Sequence, residues 1–481
     1  MSHSLFKQPK AFYTIFMLEI WERFGYSSLL ALLVIYLTTD LHMLSKDAFV
    51  LFGSFSALVY AFIVFGGYLG DRVLGAKRTI VLGLMVLLCG YSIMALNHPS
   101  LIYYGLACVC VGTGLFKSNP SSLLARCYDQ SNSDMLHNAF TLFYMAINVG
   151  TMFGMFFIPI LANKLGVATA FIAAIIGIIL SLITFLGFGF SLKGIGTKAD
   201  FKPLSLKSLF LSILAIIIFV QIVSLLLNNV IIAKTIVMAT FIICAIIYVT
   251  LMFKIRSEGF FQKMLLALIL MAEAIVYKIS YMQMQTSINF YTINNATHQL
   301  FGLDIAAASF QSLNPIWIVI MSPLLAYYYM NSKGTKFALS IYSKFAIGMM
   351  LLSFAFLILY VSKYFASPAG IISGYWLVVS YLFQSVGELL ISALGLAMVA
   401  QLVPQRFSGF VIGVWWVFLA FGSILGGLVA AYTSPSDKLV TDKLILMHDY
   451  TQVFLAIGVS IFLFSLFMFS LSKFKAKLLN H

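Results

Sequence analysis

Charge is what this sequence has least of. Of its 481 residues only 9% are Asp, Glu, Lys or Arg, and just 15 are acids, whereas soluble globular chains carry about 25% charged residues. Beside 62% hydrophobic residues, that shortage excludes an ordinary soluble enzyme, a disordered protein and a nucleic-acid-binding domain. No soluble core could absorb so much apolar length, but a bilayer takes roughly 20 apolar residues per helical span. Cysteine is scarce too. Cys89, Cys108, Cys110, Cys127 and Cys244 are odd in number and form no C-x-x-C pair, so neither a disulfide framework nor a thiolate metal site is expected. Catalytic signatures are missing: there is no H-E-x-x-H, no G-x-S-x-G and no phosphate-binding glycine loop. An enzyme is therefore not expected, nor any metal or cofactor. The first apolar run carries Glu19, Glu22 and Arg23 and lacks an A-x-A site, which argues against a removable signal peptide.

What is there is a series of charge-free runs. Residues 48–70, 165–192, 208–233, 305–332, 407–436 and 450–472 contain no charged side chain. The run 79–116 is too long for one span and breaks at Asn97-His98-Pro99-Ser100, a turn cluster. The full pattern predicts fourteen helices, near 11–38, 48–70, 78–96, 101–120, 138–162, 166–191, 208–227, 231–253, 265–291, 309–330, 338–361, 370–402, 408–432 and 450–472. The net charge of +14 is spread over the short loops between them. Nineteen Lys and Arg fall on the side of the amino terminus against six on the other, which places both termini in the cytoplasm. The organisation reads as six helices (1–192), a cytoplasmic linker with a two-helix hairpin of structural role (193–263), and six more helices (264–481).

All ten Asp lie in loops or at span edges, but Glu19, Glu22, Glu273 and Glu388 lie inside apolar spans. A charge at mid-bilayer costs about 2.5–3.5 kcal/mol even on the lenient insertion scale, so such residues pair, face water or carry protons. Glu19, Glu22 and Arg23 stand at i, i+3 and i+4 and share one helix face. They form either a structural ion pair or a coupled group able to take and release a proton. Lys117, after the Gly112–Phe116 run, either snorkels to the surface or partners Glu19 and Glu22. Asn148 is a mid-span amide suited to helix–helix hydrogen bonding or to ligand contact. Asn314-Pro315 opens a span, where proline either frees backbone carbonyls or simply kinks the helix. Glu388 has no basic residue within a helical turn, so its partner comes from elsewhere, and a ligand ammonium would suit. Lys278 lies near the middle of its span. It is expected to pair with Glu273 or lie buried as the neutral amine, or, if the face it shares with Met282 is turned to a central cavity, to pair with Glu19 or Glu22.

These residues match a family. Glu19-x-x-Glu22-Arg23-Phe24-x-Tyr26 resembles the first-helix signature of proton-dependent oligopeptide transporters, a branch of the major facilitator superfamily. The likeness continues through Tyr60, the Gly66–Arg78 loop, Gly112–Pro120, Phe143–Gly150, Gln283-Met284-x-Thr286-Ser287, Leu313-Asn314-Pro315 and Gly387-Glu388-Leu389. It is strongest to the dipeptide and tripeptide permeases of gammaproteobacteria. The resemblance implies the major facilitator fold, two six-helix bundles plus the hairpin, in a bacterial inner membrane. It implies proton-coupled import of di- and tripeptides by alternating access, with protons as the coupling ion and the chain acting as a monomer. Arg23 and Lys117 would receive the peptide carboxylate. Glu388, with Asn148 and Asn314, would hold the peptide amino group, Tyr26 and Tyr60 would contact the peptide backbone, and Glu19 and Glu22 would couple the proton.

The sequence also departs from the family. Ser27 stands where many members have Tyr, and Gln285 replaces a Pro. Leu30 and Met282 stand where some members have the Arg and Glu of an outer-gate salt bridge, and Lys278 could partly replace that bridge. The rival readings are a carrier of another small molecule, such as a drug or nitrate, on the same scaffold, and a membrane receptor that does not transport.

Overall fold

The computed structural model describes residues 8–128, 133–256, 259–332, 335, 339–392, 402–433 and 442–476. Among them, thirteen helical stretches are long and apolar enough to cross a membrane, and Tyr375–Ile391 is a shorter apolar helix. The fourteen expected spans are thus all represented. The chain divides into two compact units, Met1–Leu41 with Ser54–Ala233, and His42–Gly53 with Lys234–His481.

In the first unit, α1 (Lys10–Thr39), α2 (Ser45–Tyr68), α3 (Ala76–Ala95), α4 (Ile102–Lys117), α5 (Asn119–Ala125), α6 (Ser133–Leu165), α7 (Ala168–Gly187) and α8 (Leu206–Asn228) follow one another; the first residues of α2 belong to the second unit. Helix α1 packs on α6 and α7, α3 on α4 and α7, and α4 on α8. Lipid gives helices no hydrophobic reason to associate, so close approach depends on small side chains. The spacing Gly150-x-x-x-Gly154 shows this on α6. A Cβ on either glycine would press into the α1 backbone, at the carbonyls of Ile20 and Phe24 respectively.

The segment Gly66–Arg72, expected as a loop, is helical instead. Helix α2 runs through Tyr68 and loosens into a π-helical turn over Leu69–Val73. Asn119 provides the reason, because its Nδ2 donates to the Gly66 carbonyl at 3.2 Å and to that of Leu115 at 2.6 Å. The fourth span also breaks. It stops at Lys117 and restarts at Asn119, with Pro120 in the new first turn, where its missing N–H costs nothing.

The second unit holds most of α9 (Val230–Lys254), then α10 (Phe261–Met282), α11 (Ser287–Asn295), α12 (Leu313–Ser332), α13 (Ile341–Ser362), α14 (Tyr375–Ser392), α15 (Ser408–Ala431) and α16 (Lys443–Ala476). Helix α13 packs on α14 and α16, α10 on α15, and α12 on α14.

The span expected over 265–291 is interrupted. Gln283–Thr286 form turns between α10 and α11, and Thr286 has φ −115° and ψ −101°. Polar side chains hold the break. Gln283 Nε2 donates to the carbonyls of Ile279 (2.9 Å) and of Gly426 on α15 (3.0 Å), and Thr286 Oγ1 to that of Met282 (2.7 Å). A two-stranded ribbon, Gln299–Leu300 with Leu303–Asp304, turns through the positive-φ pair Phe301 and Gly302; its strands are too short to carry a periodic signal. The span expected over 370–402 begins only at Tyr375. Residues 367–372 instead form a turn whose Ile372 amide donates to the Asn295 carbonyl. The end of that expected span, 393–401, lies outside the described residues.

Candidate functional site

Each unit carries one polar cluster inside its apolar body. In the first, Glu19, Glu22 and Arg23 are buried on α1. The Arg23 Nε donates to Glu22 Oε2 at 2.5 Å and lies 3.4 Å from Glu19 Oε1. One guanidinium nitrogen is therefore shared by two carboxylates. Three buried atoms of the cluster, Glu19 Oε2, Glu22 Oε1 and Arg23 Nη2, have no hydrogen-bond partner among the described residues. The guanidinium sits 4.9 Å from the centre of the Tyr26 ring. Lys117, half-buried at the end of α4, holds its Nζ 5.3 Å from the centre of the Tyr60 ring on α2. Its charge also reaches Glu19. Arg23, Lys117, Tyr26, Tyr60, Glu19 and Glu22 thus belong to one neighbourhood, in which each cation faces an aromatic ring.

Asn148 is buried on α6, and its Nδ2 donates at 2.9 Å to the Tyr144 carbonyl one turn earlier in the same helix. It belongs to the first unit, whereas Glu388 and Asn314 belong to the second. Sequence reasoning overlooked Tyr91 on α3. Its buried hydroxyl has no partner among the described residues, and it lies within the electrostatic reach of Glu22, Tyr26 and Arg23. Nothing in the α3 sequence singles it out.

The second cluster centres on Glu388 of α14. Asn314 Nδ2 donates to Glu388 Oε2 at 2.9 Å and to Ser385 Oγ at 3.1 Å, and Ser385 Oγ donates back to the Asn314 carbonyl at 3.1 Å. Pro315 does not kink a helix here. It lies in the first turn of α12, after the 3₁₀ turn Ala307–Ser312, where the amides lack intrahelical partners in any case. From α10, the Tyr277 hydroxyl donates to Glu388, and the charge of Lys278 reaches it. Lys278 is buried, with its Nζ 4.5 Å from the centre of the Tyr281 ring. It does not pair with Glu273, both of whose carboxylate oxygens lack a partner among the described residues. Within its own unit the acid that Lys278 addresses is Glu388. Ser385 was legible in principle, since it stands three residues before Glu388 on the same helix face. Tyr277 was not.

The arrangement has a simple chemical capacity. One cluster presents cationic donors beside two carboxylates, and the other presents a single carboxylate that accepts from Asn314 and lies within reach of the Lys278 charge. No group of three or more His, Cys, Asp or Glu able to hold a metal occurs among the described residues.

Known proteins resemble the chain over nearly its whole length. The chain is 44% identical to dipeptide and tripeptide permease A of Escherichia coli K12 over 462 residues, which cover 96% of this chain and 91% of that one. It is 43% identical to the protein of the same name from Yersinia pestis, covering 95% and 91%. Among solved structures it resembles a bacterial homologue of the human drug peptide transporters PepT1 and PepT2, with a TM-score of 0.87 at 29% identity over 98% of this chain and 99% of that one. It also resembles tetrameric PepTSo2, with a TM-score of 0.85 at 29% identity and the same coverage. The family match spans residues 77–446 and so takes in Lys117, Asn148, Lys278, Asn314 and Glu388; the chain belongs to the POT family.

Proposed function

We propose that this chain is a proton-coupled symporter that imports di- and tripeptides by alternating access across a bacterial inner membrane, with both termini in the cytoplasm. The observation that carries the reading is the opposite character of the two clusters. A peptide zwitterion has one charge at each end, and each cluster offers the complement of one end. Arg23 Nη2, a guanidinium nitrogen without a partner among the described residues, would donate to the peptide carboxylate, with Lys117 as the second cation. Glu388, with Asn148 and Asn314, takes the ammonium, and Tyr26 and Tyr60 contact the peptide backbone between its ends.

Coupling follows from the shared guanidinium. While Glu19 and Glu22 are both ionised, they hold Arg23 to themselves. A proton on either one weakens that hold and releases the guanidinium to a peptide carboxylate, so proton and peptide favour each other's binding. Protons are then the coupling ion, no cofactor takes part, and one chain suffices for transport. A nitrate carrier would fit less well, because a lone anion leaves Glu388 without a counterpart.

The test is uptake of a radiolabelled dipeptide into proteoliposomes under an imposed pH gradient, acidic outside. Accumulation above equilibrium that collapses with a protonophore is the expected result. Uptake indifferent to the gradient, or not inhibited by other dipeptides, would overturn the reading.

A further inference from the structure

Outside both clusters, the first unit has a groove of about 300 Å³ where α3, α7 and α8 come together, lined by Lys77 and Arg78 above Val81, Leu82, Phe185 and Leu209. Lys77 and Arg78 stand in the first turn of α3, Phe185 in the last turn of α7 and Leu209 in the first turn of α8. The groove therefore lies where three spanning helices end, at the level of a bilayer's headgroups. Its apolar floor continues into a lipid-facing surface, for Leu186, Leu206 and Phe210 beside it are exposed.

The two cations at its mouth are hydrogen-bonded but not neutralised. Lys77 Nζ donates to the Leu192 carbonyl at 2.8 Å. Arg78 Nη1 donates to those of Leu74 (3.1 Å) and Ala199 (3.4 Å), and Nη2 to that of Lys202 (2.9 Å). All four acceptors are uncharged, and neither cation makes an ion pair among the described residues. The neighbouring acid, Asp200, is committed elsewhere. Its carboxylate accepts from the backbone amides of Ala76 (3.1 Å), Lys77 (3.0 Å) and Thr197 (2.8 Å), and from Thr197 Oγ1. Asp200 thereby caps α3 and pins residues 192–202 across its start. This leaves two fixed positive charges, both half-buried, over an apolar slot open to lipid.

We propose that this groove binds an anionic phospholipid of the surrounding bilayer, with the phosphodiester at Lys77 and Arg78 and an acyl chain along Val81, Leu82, Phe185 and Leu209. Charge and shape select this occupant together. A free phosphate would leave the apolar floor unused, and a zwitterionic lipid would bring its own cation to a cationic mouth. Each basic residue near a membrane surface strengthens anionic-lipid binding about fivefold, so the pair gives roughly 30-fold.

The experiment is native mass spectrometry of the delipidated full chain in detergent, titrated with equal amounts of dioleoyl phosphatidylglycerol and dioleoyl phosphatidylcholine. The expected result is preferential retention of phosphatidylglycerol by the wild type. Lys77→Gln with Arg78→Gln should lower that retention roughly 30-fold. Because these side chains also tie down the 192–202 segment, Leu209→Trp supplies a second variant, which fills the slot and keeps both charges; it too should lose phosphatidylglycerol. Equal retention of the two lipids by the wild type would overturn the proposal. So would undiminished phosphatidylglycerol binding in both variants, or its displacement by millimolar inorganic phosphate, which would mark a free-anion site.

Discussion

Replacing Glu388 by Gln tests the second cluster most sharply, because the amide keeps the shape of the side chain and can still accept from Asn314. What disappears is the charge. A hydrogen bond to a charged group contributes about 1.5–3 kcal/mol, so peptides with a free amino terminus should bind roughly 10- to 150-fold more weakly. Amino-acetylated peptides, which bring no ammonium, should lose little. A second effect comes from Lys278, whose charge reaches Glu388 from α10. Removing the Glu388 charge leaves the buried Lys278 with less compensation, a cost that removing Lys278 as well should relieve. Glu388→Gln should therefore lower the thermal midpoint, and adding Lys278→Met should restore part of it. The assay is competition for uptake by free and acetylated peptides, beside thermal unfolding of both single variants and the double. Equal losses for the two peptide types would show that Glu388 does not read the ammonium. Additivity within about 0.5 kcal/mol would show that Lys278 and Glu388 do not act as a pair.

Glu22→Gln should abolish proton-driven accumulation while leaving peptide exchange partly intact, since it removes a proton site and not the peptide's cations; normal acid-stimulated uptake would contradict this. Gly154→Ala brings a Cβ to 2.6 Å from the Phe24 carbonyl and should cost about 1–3 kcal/mol by overpacking, visible as a lower thermal midpoint. Tyr277→Phe removes one donor to Glu388 and should weaken binding of free-amino peptides by about 0.5–1.5 kcal/mol, measured by the same competition. Burial pushes the Cys127 thiol, outside the spans, up to about 11. Its alkylation by iodoacetamide depends on the thiolate, so the rate should climb about tenfold per pH unit through pH 10; levelling off near pH 9 would contradict the placement.

The number and order of spans were legible because hydrophobic length in a bilayer leaves little choice. The break between α10 and α11 was not. Gln283, Gln285 and Thr286 read as polar residues within a span, and only the bond from Gln283 to the Gly426 carbonyl of α15 shows that they hold an interruption. The first cluster could be read almost complete, since Glu19, Glu22 and Arg23 declare a common face by spacing alone. The second could be read only in part. Glu388 stands out as an acid inside an apolar span, but Tyr277 comes from a distant stretch of chain and looks like any aromatic residue in an apolar helix. Lys278 was conspicuous, yet its spacing could not say which acid it would find.

The contacts that seat α1 bear on how a proton could do mechanical work. Gly150, Gly154 and Gly177 lie against the α1 carbonyls of Ile20, Phe24 and Trp21, and Gly25 against that of Ala174. Backbone meets backbone at each point, with only the α1 side chains of Arg23, Phe24 and Ser28 also close by. Helix α1 is therefore seated closely against α6 and α7. On the proposed mechanism, a proton at Glu19 or Glu22 would act on α1, α6 and α7 together, in the way a key turns its whole bolt. Spin labels on α1 and α6 should then report a constant separation through the transport cycle, whatever distances change elsewhere.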